Sequence, residues 1–239
     1  MKIIPLQEGN YVVNSDKEFR LIEDFPLDSG LKMAIQPFLI VTQNDCILLD
    51  LGLGLKKNGK PLIHHLLESH GVAPEQITKI LISHFHKDHI EGIGSFEEDT
   101  FIQNFPEATI YLQSRELDFA LSQQHPSYNL ELLNQLQSFS NVVKLEEDKG
   151  QITDEIFYEV SGGHSPFHQV FRIQENNEIA FYGADDLPQE AYLKLHVAYK
   201  TDYDGKRAMK SRKKWEQEAK EQHWKVLLYH DMKKPVLEF

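Results

Sequence analysis

Three imidazoles and a carboxylate fall within six positions of the segment Ser83-His84-Phe85-His86-Lys87-Asp88-His89-Ile90-Glu91-Gly92. Packing does not explain such density, because each imidazole or carboxylate needs a polar partner once it leaves water. A divalent cation satisfies several of them together. Imidazole nitrogen with carboxylate oxygen is the donor set that zinc and its borderline neighbours accept. A closed structural zinc would favour thiolates, and the chain has one cysteine, Cys46. In an extended chain His84, His86 and Asp88 project to one side, since side chains alternate with period two. His89 joins them if the chain turns toward Glu91-Gly92-Ile93-Gly94.

These groups need elements to carry them. The apolar run Lys79-Ile80-Leu81-Ile82 reads as a buried strand that delivers the cluster at its end. Residues 35–42 and 46–50 read as a hairpin, and the second strand ends on Asp50 before Leu51-Gly52-Leu53-Gly54. An aspartate there is either a turn residue or part of a site. In Ser161-Gly162-Gly163-His164-Ser165-Pro166-Phe167-His168 the glycines allow a sharp turn that presents His164. A hairpin over 169–182 runs into Gly183-Ala184-Asp185-Asp186, and a strand over 225–229 ends on His230. Apolar spacing predicts a helix over 61–71, with His64, His65 and His70 on its exposed or terminal positions. Further helices are expected over 114–140 and 189–223, and the acidic stretch from 96 to 105 reads as a solvated loop or a helix start.

Composition narrows the function classes. At 239 residues, with 41% hydrophobic and 26% charged residues, the chain has an ordinary globular balance. A net charge of −12 disfavours a general affinity for nucleic acid. The basic run between Lys206 and Lys214 reads as a solvated helix face. A single cysteine forms no internal disulfide, the N-terminal segment lacks a signal-peptide core, and no apolar run reaches bilayer length. The expectation is a cytoplasmic protein acting on a small molecule without a membrane.

The pattern His-x-His-x-Asp-His at 84–89 resembles the signature of the metallo-β-lactamase superfamily. Asp50-Leu51-Gly52, the glycine turn before His164, the strand before Asp185 and the strand before His230 resemble its other motifs in the expected order. Phe167 stands where the third motif often carries glycine. The resemblance implies a four-layer αββα sandwich of the α/β (α+β) class. It implies one domain over 1–239, with a helical insertion about 114–140 and a helical segment about 189–223. By resemblance His84, His86 and His164 would hold one metal ion and Asp88, His89 and His230 a second. Asp185 would bridge them, with Asp186 as the alternative. Two Zn2+ are expected, Fe or Mn being possible, and three imidazoles on the first ion leave an open, catalytic position.

Asp88 and Asp50 are expected as the catalytic carboxylates, Asp50 by orienting ligands or the bridging water and His168 in similar support. The implied function is a zinc-dependent hydrolase that directs a metal-bridging hydroxide at an ester, lactone or related small molecule. His125 and Tyr128 would flank the cleft, and Tyr192 would be placed to polarise a carbonyl. The alternatives are a nuclease or phosphodiesterase of the same fold, using the segment 206–214, and a di-iron oxidoreductase. Relatives of the latter kind usually carry a carboxylate where His86 stands.

Overall fold

The computed structural model describes residues 1–26, 29–195 and 197–239. Two six-stranded sheets face each other. The first contains β1 (Lys2–Pro5), β2 (Phe38–Val41), β3 (Cys46–Leu49), β4 (Lys79–Leu81), β5 (Thr109–Gln113) and β6 (Val142–Leu145), in that spatial order. The second contains β7 (Lys149–Gln151), β8 (Ile156–Val160), β9 (Gln169–Glu175), β10 (Glu178–Tyr182), β11 (Lys225–Leu227) and β12 (Val236–Glu238), again in chain order. Pairs β3–β4, β4–β5, β5–β6 and β10–β11 are parallel, and the other neighbours are antiparallel.

The alternation of side chains along each strand builds four layers. In β3, Ile47 and Leu49 turn inward onto Ile156, Phe171, Ile173 and Tyr182 of the second sheet. Leu48, between them, turns outward onto a cluster completed by the helices α1 (Leu62–Ser69), α3 (Ser114–Leu121) and α4 (Leu130–Leu136). In β10, Ala180 and Tyr182 face the first sheet, whereas Phe181 faces α6 (Gly205–Gln222). There its ring lies 5.0 Å from Trp215 and 5.1 Å from Trp224, contacts worth about 0.5–1.5 kcal/mol each beyond burial. The result is the expected αββα sandwich. Among the described residues, no helix is long and apolar enough to cross a membrane.

Some elements differ from the sequence expectation. The run 35–42 is broken at Gln36-Pro37 into Leu31–Ile35 and β2, because proline cannot donate to a ladder. Leu31–Ile35 instead pairs with Gly9–Val13, itself paired with Phe19–Leu21, in a small three-stranded sheet. The acidic stretch expected as loop or helix forms a hairpin, Gly94–Glu97 with Thr100–Gln103, turned at Glu98 with φ 52°. The insertion holds α3 and α4, the latter capped by Asn129, which accepts from Leu132 N at 3.2 Å. The segment 189–223 holds α5 (Glu190–Leu195) and α6, and its residue His196 lies outside the described residues.

Candidate metal centre

The predicted residues arrive at one end of the sheets by separate routes. The turn after β4 is bracketed by β9: Gln169 donates from its side chain to Ile82 O at 2.8 Å and from its backbone to Ser83 O at 3.0 Å. His84 and His86 sit on this turn. Asp88 and His89 do not continue an extended alternation, because the chain coils into α2 (Lys87–Ile90) immediately after His86. The short helix sends Asp88 and His89 to a second group of donors. The loop carrying His164 depends on close approach: a Cβ on Gly163 would lie 2.4 Å from Asp186 Oδ1. Asp186 accepts there from His164 N at 2.6 Å. Asp185 follows Ala184, whose φ of 42° lies in the left-handed region, and turns the other way into the centre.

Two clusters of ligand atoms result, one from His84, His86, His164 and Asp185 and one from Asp88, His89 and His230. In the first, His86 Nδ1 lies 3.0 Å from His84 Nε2 and 3.1 Å from His164 Nε2. Asp185 Oδ2 is 3.2 Å from His164 Nε2 and 3.8 Å from His84 Nε2. Its other oxygen, Oδ1, is 2.9 Å from His230 Nε2 and 3.2 Å from His89 Nε2. Asp88 Oδ2 completes the second cluster at 3.5 Å from His230 and 3.7 Å from His89. One carboxylate therefore offers an oxygen to each cluster.

The outer nitrogens of four imidazoles are held by neighbouring acceptors. His89 Nδ1 faces Asp50 Oδ2 at 2.8 Å, His164 Nδ1 faces Asp202 Oδ1 at 3.0 Å, and His230 Nδ1 faces Ala34 O at 2.8 Å. His84 Nδ1 faces Ser83 Oγ at 3.0 Å, and that hydroxyl donates its own proton to Asp50 at 2.6 Å. Each Nδ1 thus carries a proton, so that in the neutral imidazole each Nε2 turns a lone pair inward. Lone pairs converging at about 3 Å repel one another unless a cation sits among them. His89 Nε2 and Asp185 Oδ1 are buried without a hydrogen-bond partner among the described residues. The donor set and these orphaned atoms fit a pair of divalent ions.

Electrostatics agree. Burial, aided by adjacent imidazoles, holds His84 and His86 well below the ordinary histidine value, in the neutral form that coordinates metal. At His89 burial also works against charge, yet Asp185, Asp88 and Asp50 outweigh it and hold the imidazole well above that value. A carboxylate-rich pocket that draws a proton onto His89 would accept a cation in its place.

Asp50 lies behind the centre. It is fully buried, it has a φ of 55°, and it does not line the cavity. Its carboxylate accepts from Ser83 N at 2.8 Å, Ser83 Oγ and Tyr182 OH at 2.6 Å each, and His89 Nδ1. His168 is also behind: its Nδ1 meets Ser161 Oγ at 2.9 Å and its ring lies 5.0 Å from His84.

In front of the centre opens a cavity of about 580 Å³, within the range of small-molecule sites. His86, Asp88, His164, Asp185 and His230 reach its floor, and Met33, Phe119, Tyr128 and Tyr199 supply apolar wall. His125, Tyr128 and Tyr192 all line it. Burial raises the Tyr192 phenol, whose ring carries the Arg212 guanidinium at 5.0 Å. Sequence reading missed three supporting groups. Asp202 orients His164 from a polar stretch with no motif of its own. Arg212 belongs to the basic run yet is buried, so that run is not solvated throughout. Glu116, fully buried on α3, accepts from Phe167 N at 2.8 Å, and Arg115 covers the Phe167 ring at 4.8 Å. The helical insertion thereby grips the loop of His164 at the position where glycine gives way to phenylalanine.

Comparison with known proteins agrees with this architecture. The family model of the metallo-beta-lactamase superfamily matches residues 34–220. A solved structure of AidC, described as a dizinc quorum-quenching lactonase in complex with a product, superposes with a TM-score of 0.76 at 20% identity, covering 98% of this chain and 88% of that one. A probable metal-dependent hydrolase from Staphylococcus aureus gives 0.78 at 18% identity, covering 99% and 91%. An N-acyl homoserine lactone hydrolase with N-hexanoyl-L-homoserine bound at its catalytic metal center gives 0.69 at 21% identity, covering 97% and 93%. No curated protein matches the chain. With the family model spanning most of its length, the chain belongs to the metallo-beta-lactamase superfamily.

Proposed function

We propose that the chain is a binuclear metal-dependent hydrolase, with two Zn2+ as resident ions, acting on an ester or lactone. His84, His86 and His164 would hold one ion, Asp88, His89 and His230 the other, and Asp185 would join both. The observation that carries this reading is the Asp185 carboxylate, with Oδ2 3.2 Å from His164 Nε2 and Oδ1 2.9 Å from His230 Nε2. When bound, such a pair of cations acidifies water toward neutral pH and polarises an acyl oxygen.

The chain's own groups do the rest. Asp50 and Asp202 keep His89 and His164 in the tautomers that present Nε2. The apolar wall positions an acyl group over the floor and limits water there. Asp88, which lines the cavity, would move a proton, with Asp185 as the alternative carboxylate. Water oxygen forms the new bond to the acyl carbon, the bond from that carbon to the leaving oxygen breaks, and the proton taken up by Asp88 passes to the leaving oxygen. Asp50, shielded from the cavity, would act through His89. In this reading 1–239 is one domain, and a reducing, cytoplasmic setting suits its single, undisulfided Cys46. The lactonase names among the similar structures support testing lactones first.

Purified protein is assayed for metal and against neutral lactones and aryl esters. Two ions per chain, with hydrolysis lost on chelation and restored by zinc, is the expected result. Hydrolysis that survives complete metal removal would reject the reading.

A further inference from the structure

The cavity has a charge pattern that the metal centre does not use. Its acidic side chains, Asp88, Asp185 and Asp202, are all engaged with imidazoles. Its lysines, Lys17 and Lys87, have no ion-pair partner among the described residues. In a chain of net charge −12, two ammonium groups lining one cavity, neither in a salt bridge among the described residues, stand out against their surroundings.

Lys17 is placed by a built turn. Asn14 Oδ1 accepts from Asp16 N and Glu18 N at 3.0 Å each, and Lys17 N donates to Asn14 O at 3.2 Å. Lys17 itself takes a φ of 60°, the left-handed region that a lysine adopts only when the surrounding bonds impose it. The neighbouring Glu18 is occupied, with Oε2 2.8 Å from Asn14 Nδ2 and 3.1 Å from Arg20. Lys17 is half-buried rather than extended into solvent, and its charge acts on the His86 imidazole. Lys87 starts α2 on the floor, between His86 and Asp88. The acid one turn along, Glu91, is bonded by Asn129 at 3.0 Å. The same cavity is lined by apolar side chains, among them Leu31, Met33, Phe119 and Tyr128.

Resting on the hydrolase reading, the geometry points to a substrate with an anionic end: an ester or lactone whose non-reacting terminus carries a carboxylate, held by Lys17 and Lys87 while its acyl carbon meets the metal floor. The apolar side chains of the cavity would take the linking methylenes.

The test is a matched pair of substrates, the 4-nitrophenyl monoester of adipic acid and the same compound capped as its methyl ester, with the zinc-loaded full chain. A favourable ion pair of this kind gives up to about fivefold. We expect kcat/KM to favour the free acid by that factor at low salt, mainly through KM, and the preference to collapse in 0.5 M salt. K17M should lower the ratio several-fold, and K17E should invert it. Equal kcat/KM for the two esters, or a ratio that K17E leaves unchanged, overturns the inference while hydrolysis of both leaves the hydrolase reading intact. If neither ester is cleaved, calorimetric titration of adipate against its monomethyl ester reads the same subsite. Tighter adipate binding lost in K17E supports it, and equal affinities overturn it.

Discussion

Substituting Asp50 by asparagine removes one charge and almost no volume from the hub behind the centre. The carboxylate accepts four hydrogen bonds, three of them at Oδ2 from His89, Ser83 and Tyr182. If the amide oxygen of D50N takes the Oδ2 place, its NH2 faces the Ser83 N–H, donor against donor. If it takes the Oδ1 place, the NH2 faces His89 Nδ1, which must then give up its proton and carry it on Nε2. That tautomer cannot ligate a metal. Either orientation loses at least one charge-assisted bond, worth about 1.5–3 kcal/mol. Converted at about 1.4 kcal/mol per tenfold, this is roughly a ten- to hundredfold loss of affinity for the second ion, in line with the effect of removing such supports elsewhere. Competitive titration with a chelating indicator measures both affinities, and circular dichroism establishes that the variant is folded. Folded D50N that binds both ions within twofold of the natural protein would refute the reasoning.

Other expectations follow from the same geometry. D202A releases His164 Nδ1, so the affinity of the first ion should fall about tenfold while the second stays nearer its original value, read by the same titration. Chelation should lower the melting temperature by roughly 10 °C, since ligand at about a thousandfold above Kd stabilises by about 4 kcal/mol and each kcal/mol moves a chain of this length by about 2–4 °C. Burial pushes the Glu116 carboxyl from 4.5 up to about 7, so between those values the folded chain keeps a proton that the unfolded chain releases. Stability should therefore fall as pH rises from 4.5 to 7, by up to about 3 kcal/mol from this group. E116Q, which keeps the acceptor for Phe167 N, should flatten that slope in denaturant titrations, and an unchanged slope would contradict the assignment.

Much of the centre was legible because its donors sit at strand ends, where apolar runs stop and His84, His164, Asp185 and His230 begin. The chain order of the motifs carried the layering as well, since Ile47, Leu48 and Leu49 alternate between two cores as a doubly covered strand requires. What escaped was set by distant contacts. Nothing local distinguishes Asp185 from Asp186; the left-handed Ala184 and the tight approach at Gly163 send them to opposite sides. Period-two reasoning put Asp88 beside His84 and His86, but α2 begins one residue too early for alternation to hold. Asp202 and Glu116 lie 38 and 48 residues from His164 and carry no pattern, so only the folded chain reveals that they hold its ring and its loop.

The central claim is that one carboxylate, Asp185, joins two cations. A crystal of the zinc-loaded protein, with an anomalous difference map collected at the zinc edge, tests it most directly. Two peaks on either side of Asp185, one beside His84, His86 and His164 and the other beside Asp88, His89 and His230, are the predicted result. A single peak, or none with all these side chains ordered, would contradict it.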